Sequence, residues 1–424
     1  MILALAVLAG CGGSRGAEDA WLESAGLDAN ETKEELYEKA LKEEVLVIYT
    51  VSTRVTKVKE AFEEEYPGLY VEIRDLRSPD LIEAVTENYK NGNTDCDIVL
   101  CNDNSGEFKE KLVDTGIVLP YLPDDIARHM KEGIKEGMVP FIYETMMCFY
   151  DSAKYGTCPE DNLWALTDPR YKGRIYMPNP LRSFSTYVLC AASLERNEDF
   201  EKAYEEYVRE NKERAEESGA GEMQGETQAG DAQGETQAEG AQEDSQAGDA
   251  QENAQPEEKL DIPEGSDAAH VFWERIAKNT VFTNSSDEVV EALGNGNADF
   301  GFMVSSKMRL KEVGYNFEPI WKMKPFAGCP TSFSVMIAKN AGSVNAAKLF
   351  IRFLLGETDG TGAGYKPFSL PGTWSARTDV PDATDVAMAD IDLVSPDTDD
   401  LIRLRPEMEE FWTKILKQNL NVGE

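Results

Sequence analysis

The sequence predicts an α/β fold of largely parallel strands, and three observations carry that prediction. Short β-branched and apolar runs recur at 45–49, 70–73 and 96–101. The segments between them place apolar residues at helical spacing, and strand, helix, strand, helix, strand implies right-handed crossovers between parallel strands. The first run, Val45-Leu46-Val47-Ile48-Tyr49, is apolar throughout instead of alternating, as suits a strand covered on both faces.

The elements follow in order. Thr32, with Glu35 three residues on, predicts the start of a helix over 32–44 whose inner face is Leu36, Tyr37, Ala40 and Leu41. Ser52 and Thr53 stand where they can cap the next helix, which carries Val55, Val58, Phe62 and Tyr66 on one stripe until Pro67 stops it. A helix is expected over 79–90. The long apolar and aromatic run at 138–150 and a second at 332–338 are candidate strands passing from one lobe to another. Between them the pattern predicts a helix opened by 183–186, an amphipathic segment at 268–279, a helix at 287–293 and a strand at 298–304. Helices with clear apolar faces are expected at 345–355 and 406–416.

Composition bounds the function. The chain has 424 residues, 41% of them hydrophobic, enough for two domains and an insert. A formal charge of −37 excludes a nucleic-acid binder, whose partner's phosphates need a basic surface, and disfavours unaided adhesion to anionic lipid. No Gly-x-Ser-x-Gly elbow, P-loop or His-Glu-x-x-His run occurs, so no enzyme is expected, and no cofactor. The two histidines, His129 and His270, lie far apart without a ligand cluster, so no metal site is expected either. Cys96, Cys101, Cys148 and Cys190 sit in or beside apolar runs, which favours free buried thiols over disulfides for the six cysteines after Cys11.

Residues 1–10, MILALAVLAG, fit the apolar core of an export signal and are too few to span a bilayer, which takes about 20 residues. Leu8-Ala9-Gly10-Cys11 looks like a bacterial lipobox, which makes Cys11 the expected lipidation site, although no Lys or Arg precedes the run. Two acyl chains hold a protein stably at a membrane. Residues 12–31 are mostly small and polar, with several glycines, as expected of a tether.

From Ala215 to Pro256 there are 11 acidic residues and no Lys or Arg. A nine-residue unit recurs there: GETQAGDAQ from Gly225, GETQAEGAQ from Gly234 and EDSQAGDAQ from Glu243. Such a stretch buries too little surface to offset its ordering entropy, so a disordered surface insertion is expected. Without its acidic residues the chain still carries −26.

Five segments, in this order, resemble one known family. They are Leu36-Tyr37-Glu38-Lys39-Ala40 running into Val45–Thr50 and then Ala61-Phe62-Glu63-Glu64-Glu65-Tyr66-Pro67-Gly68; Asp95-Cys96-Asp97-Ile98-Val99; Asn162-Leu163-Trp164-Ala165-Leu166-Thr167-Asp168-Pro169-Arg170-Tyr171-Lys172-Gly173-Arg174-Ile175; Asn297-Ala298-Asp299-Phe300-Gly301-Phe302; and the helix from Ala346 to Leu355. Together they resemble type 2 periplasmic binding proteins of the ferric-iron, phosphonate and sugar-phosphate importer group, over about 33–378. The resemblance implies a two-lobe type 2 periplasmic-binding-protein fold, with a parallel-rich sheet in each lobe and hinge strands between them. On that basis 1–11 is the lipoprotein signal, 12–31 the tether, 32–142 the first part of lobe 1, and 143–330 lobe 2 with the insert at 215–256. Residues 331–424 return to lobe 1 and supply the C-terminal helices.

The resemblance further implies the substrate-binding component of an ABC importer. Such a receptor is expected as a monomer, anchored by Cys11 on the outer face of the cytoplasmic membrane. It captures a small solute by lobe closure and delivers it to an ABC permease. In open α/β sheets ligands enter at the carboxyl ends of strands. The candidate contacts are therefore Ser52, Thr53 and Arg54 after the first strand, Asn102, Asp103 and Asn104 after the third, Arg182, Ser183, Ser185 and Thr186 from the second lobe, and Ser305 and Ser306 after the late strand. A helix starting near Ser183 offers free N–H groups and a positive dipole end to an anion, and Arg182 adds a bidentate donor. Simple helix capping by Ser185 or Thr186 explains the same residues, and so does capping by Ser52 or Thr53.

Ferric-binding members carry two adjacent tyrosines after the late strand, where this chain has Val304-Ser305-Ser306-Lys307-Met308-Arg309. Hydroxyls and cations replace phenolates poorly around hard ferric ion. The expected solute is therefore an anionic organic compound: phosphorylated, phosphonate or carboxylate. The alternatives are a ferric-iron receptor of the same family, an enzyme on this fold, and a cell-surface interaction protein that uses the acidic repeat. Tyr143, Tyr150 and Tyr365 either line the cleft or belong to the core.

Overall fold

Thr32 opens the first helix through the capping box its sequence predicts: its hydroxyl accepts from Glu35 N while the Glu35 carboxylate accepts from Thr32 N. The computed structural model describes residues 20–93, 95–103, 105–225, 261–356 and 362–420. Helix α1 (Lys33–Ala40) leads to β1 (Leu46–Thr50), α2 (Val55–Glu65), β2 (Val71–Asp75), α3 (Ser78–Asn91) and β3 (Ile98–Asn102). All three strands run parallel, with Ile48 beside both Ile73 and Ile98. Pro79 lies in the first turn of α3, where its missing N–H costs nothing, and Gly92 closes that helix with φ +68°.

After β4 (Val118–Leu119) and the short α4 (Asp124–Ala127), the chain enters β5 (Val139–Asp151), whose thirteen residues are all buried. The second lobe then takes shape from β6 (Ile175–Pro178), α5 (Phe184–Glu195), α6 (Asn197–Gly225), α7 (Ala268–Ala277), β7 (Thr280–Thr283), α8 (Ser286–Gly294), β8 (Phe300–Val304) and β9 (Phe317–Pro319). Strand β10 (Gly328–Ala338) returns to the first lobe, followed by α9 (Val344–Leu354), β11 (Trp374–Ser375) and α10 (Thr398–Leu420).

The strand order β2-β1-β3-β10-β5-β8-β6-β7 explains how the two lobes are joined. The block β2-β1-β3 is parallel, and so is β8-β6-β7. Between them β10 and β5 run antiparallel to each other from Gly328 beside Met147 to Val335 beside Val139, with a bulge at Phe333/Ser334. These are the two long crossings expected from the sequence. They link the sheets of both lobes into one hydrogen-bonded path. Gly328 is required here, because a Cβ would lie 2.4 Å from Met146 O.

Aromatic packing holds the second lobe together. Trp273 sits 5.6 Å from Trp412, and Phe272 meets Trp164 edge-on at 5.4 Å. Trp412 belongs to α10, which also receives a hydrogen bond from Tyr187 Oη at Leu401 O, 2.8 Å. From the same helix, Arg405 donates to Ser105 O at 2.9 Å, so the C-terminal helix contacts both lobes.

Three boundaries differ from the sequence reading. Residues 20–31 do not behave as a tether: Trp21 Nε1 donates to Ala341 O at 3.2 Å, and the buried Lys348 ammonium donates to Ala25 O, Gly26 O and Glu31. The apolar Trp21 and Ala25 give that segment something to bury. Helix α6 runs to Gly225, past the start assigned to the insert at Ala215, since Ala and Glu favour helix propagation. Helix α10 begins at Thr398, with Pro406 inside it. Cys96, Cys101, Cys148, Cys158, Cys190 and Cys329 are all free thiols, and all but Cys158 are buried. Cys11, residues 12–19 of the tether, Asn104 and most of the acidic repeat lie outside the described residues.

Candidate functional site

The carboxyl ends of the parallel strands in the two lobes meet. At the end of β1, Thr50 Oγ1 accepts from Ser52 N at 3.1 Å and Ser52 Oγ accepts from Arg54 N at 3.4 Å. Helix α2 starts without a side-chain cap, so the capping role expected of Ser52 or Thr53 is not taken up. The Ser52 hydroxyl instead shapes the turn, and Thr53 is exposed. The turn aims Arg54 across the gap. Its Nη2 donates to Ser306 Oγ at 3.0 Å, and its guanidinium lies 5.7 Å from the centre of the Phe368 ring.

On the opposite side, the two adjacent serines after β8 divide their work. Ser305 is wholly buried; its Oγ accepts from Thr145 N at 2.8 Å and donates to Gly372 O at 2.5 Å. It ties the end of β8 to hinge strand β5 and to the loop before β11. Ser306 presents its hydroxyl to Arg54, and its carbonyl accepts from Arg309 Nη1 at 2.7 Å. Lys307 pairs with Asp287 at 2.6 Å.

Arg54, Lys307 and Arg309 thus crowd one corner. Burial pulls the Arg54 guanidinium and the Lys307 ammonium below their ordinary pKa values, nearby Glu144 and Asp287 respectively oppose this, and Arg309 adds repulsion to both. A corner that strains to hold its positive charge gains most from a bound anion.

The other candidate residues are placed differently. Asn102 and Asp103 border a narrow crevice with Ser78, Phe108 and Phe184, where Phe184 reaches from the second lobe onto the first. The Asp103 carboxylate accepts from Phe108 N at 3.3 Å and Lys109 N at 2.7 Å, which fixes the turn after β3. Burial raises its pKa against those hydrogen bonds. Arg182 is exposed and reaches Asn284 Oδ1 at 3.4 Å. Ser183 caps α5, accepting from Thr186 N at 3.3 Å and from the Thr186 hydroxyl at 3.0 Å. The cap is therefore Ser183 and not Ser185 or Thr186; Thr186 is fully buried and Ser185 half-buried. Tyr143, Tyr150 and Tyr365 are all buried, with Tyr143 Oη bonded to Glu132 at 3.1 Å.

A family model described as bacterial extracellular solute-binding protein matches residues 57–392. The chain belongs to that family. It is the solute-binding component of an ABC importer and acts outside the cytoplasm. Solved structures share the fold across nearly their whole length. Iron-bound HitA from Pseudomonas aeruginosa is 14% identical, with 88% of this chain and 99% of that one covered at a TM-score of 0.57. AfuA from Actinobacillus pleuropneumoniae, with exogenous fructose-6-phosphate bound, is 16% identical, covering 88% and 98% at 0.58. The apo ferric ion-binding protein A of Pasteurella haemolytica is 13% identical, covering 87% and 97%, also at 0.58. Comparison with curated proteins of known function gives no match.

For a solute-binding protein, lobe closure is the working motion, and contacts that reach from lobe to lobe are those a ligand can strengthen. Three residues with such positions were not singled out by the sequence reading, Glu144, Phe184 and Gly372, and neither was Phe368, which backs Arg54 from the same lobe. Glu144 did leave a signal, as the one carboxylate in the apolar run at 138–150. Gly372 left none. Its φ is +88°, and a Cβ there would fall 1.8 Å from Ser305 O.

Proposed function

We propose that this importer receptor captures a small anionic organic solute (phosphorylated, phosphonate or carboxylate) at the corner formed by Arg54, Ser306, Lys307 and Arg309. One observation carries the reading: Arg54 from the first lobe meets Ser306 from the second at 3.0 Å, with two further cations beside them. An anion entering there accepts from both lobes at once, so its binding energy is gained on closing. Ser52 and Ser305 position this corner, and Thr53, at the same turn, flanks its mouth. Ser183, Ser185 and Thr186 form the start of α5 beneath Phe184, while Asn102, Asp103 and Arg182 border the outer cleft.

The same corner argues against ferric ion as cargo. The carboxylates there, Glu144 and Asp287, stand against Arg54 and Lys307, and serines and cations replace phenolates poorly around a hard trivalent metal. We further infer that Cys11 carries the lipid anchor, that the receptor works as a monomer, and that the loaded form docks on its permease without turning the solute over. Loss of a palmitate-analogue label on Cys11→Ser checks the anchor; retention of the label removes it.

Thermal-shift screening against sugar phosphates, phosphonates, dicarboxylates, polyamines and ferric citrate tests the cargo, because a tight ligand stabilises the folded chain by mass action. An anion is expected to raise Tm. A shift confined to ferric salts, with a phenolate-to-iron absorption band, would overturn the choice.

A further inference from the structure

Glu144 shares the corner with Arg54, and anion capture alone gives it no task. It stands on hinge strand β5 with a side chain only 7% exposed. Its Oε2 has no hydrogen-bond partner. The nearest cation, Arg54 Nη2, is 3.9 Å away, beyond hydrogen-bond reach, and that nitrogen already serves Ser306. The neighbouring Arg54 Nη1 is likewise buried without a partner. One buried acceptor and one buried donor therefore stand side by side, and leaving either unpaired costs the full desolvation of the group.

A plain anion settles only half of this. Docked on Arg54, it satisfies the donor but takes over the positive charge that balances Glu144, leaving a buried carboxylate beside a second negative group. A solute with its own cation a few atoms from its anionic end satisfies both. Resting on the anion reading above, we infer that Glu144 receives an ammonium group, so that the solute is an amino-bearing anion such as an aminophosphonate or an amino carboxylate. Arg54 holds the anionic end and Glu144 the amine, and the two lie on different elements that meet at the cleft.

The test uses matched probes on the full chain: 2-aminoethylphosphonate against ethylphosphonate, and 4-aminobutyrate against butyrate, by calorimetric titration. At least one amino member is expected to bind about tenfold or more tighter than its plain partner, the size of one charge-assisted hydrogen bond. Glu144→Gln should erase the preference, weakening the amino member and, with the competing carboxylate gone, tightening the plain one. Should that variant misfold, as its unliganded Tm would reveal, the wild-type comparison still decides, and Glu144→Asp should keep a reduced preference. Equal affinities within both pairs, a preference that survives Glu144→Gln, or amino members that fail to bind while other anions do, each overturns the inference and leaves the anion reading standing. If no anion binds at all, both readings fall.

Discussion

Arg54 and Arg182 each follow a parallel strand, one in each lobe, and their surroundings are opposite. Arg54 is drawn into the gap, hydrogen-bonded to Ser306 and flanked by Phe368. Arg182 is exposed and reaches Asn284 of its own lobe. The serines beside them divide in the same way: Ser306 faces the opposite lobe, while Ser183 spends its hydroxyl on the first turn of α5. A hydroxyl at a helix start has two uses, and the partner across the gap decides which one it takes. Arg54 is placed to sense closure; Arg182 is not.

The strongest way to break this comparison is to remove each arginine in turn. Arg54→Ala should weaken whichever anion the screen identifies by about a hundredfold, as expected for losing a desolvated charge-assisted contact. Arg182→Ala should change it by less than about threefold, the behaviour of a rim charge. Titration calorimetry separates the two outcomes. Equal losses would move the anion to the α5 side of the cleft.

The next effect probes what holds the Arg54 corner in place. Gly372 combines a positive φ with backbone contact to Ser305, so Gly372→Ala meets both strain and overlap. It should destabilise the fold by about 2 kcal/mol or more and lower anion affinity by displacing Ser305 and Ser306. Chemical denaturation gives the first quantity. Unchanged stability would mean that the loop before β11 slides freely past the end of β8.

A smaller change sharpens the contrast from the other side. Ser183→Ala removes a cap and should cost about 1 kcal/mol of stability with anion affinity intact. An affinity loss without a stability loss would reverse the assignment and return Ser183 to the ligand.

The parts of this architecture written in local sequence were legible. Apolar runs marked β1, β5 and β10, unbroken only in β1, and Thr32 with Glu35 marked the start of α1, because each depends on residues a few positions apart. The corner itself was half legible: Arg54 and Ser306 were both named from their places after strands, but 252 residues separate them. Their pairing depends on how two lobes meet, which no local pattern encodes. Gly372 is the extreme case, since only the backbone of Ser305, far away in the chain, makes a side chain there impossible. The N-terminal segment failed for a related reason. Its polarity suggests a tether, yet a buried lysine 317 residues further on collects Glu31 and the carbonyls before it.

The least effect is expected where the composition is most unusual. Residues 226–256 hold most of the nine-residue repeat and follow the end of α6 at Gly225, a helix whose ordered packing comes from Phe200, Ala203 and Tyr207 in its first turns. If the cleft alone serves transport, joining 225 to 257 should leave both Tm and anion affinity unchanged within about 0.5 kcal/mol, as for other surface changes far from a site. Uptake by cells carrying the shortened receptor is the decisive measurement. Normal binding with lost uptake would assign the acidic segment a part in docking to the permease or the cell envelope, and the contrast between Arg54 and Arg182 would then describe only half of how this receptor works.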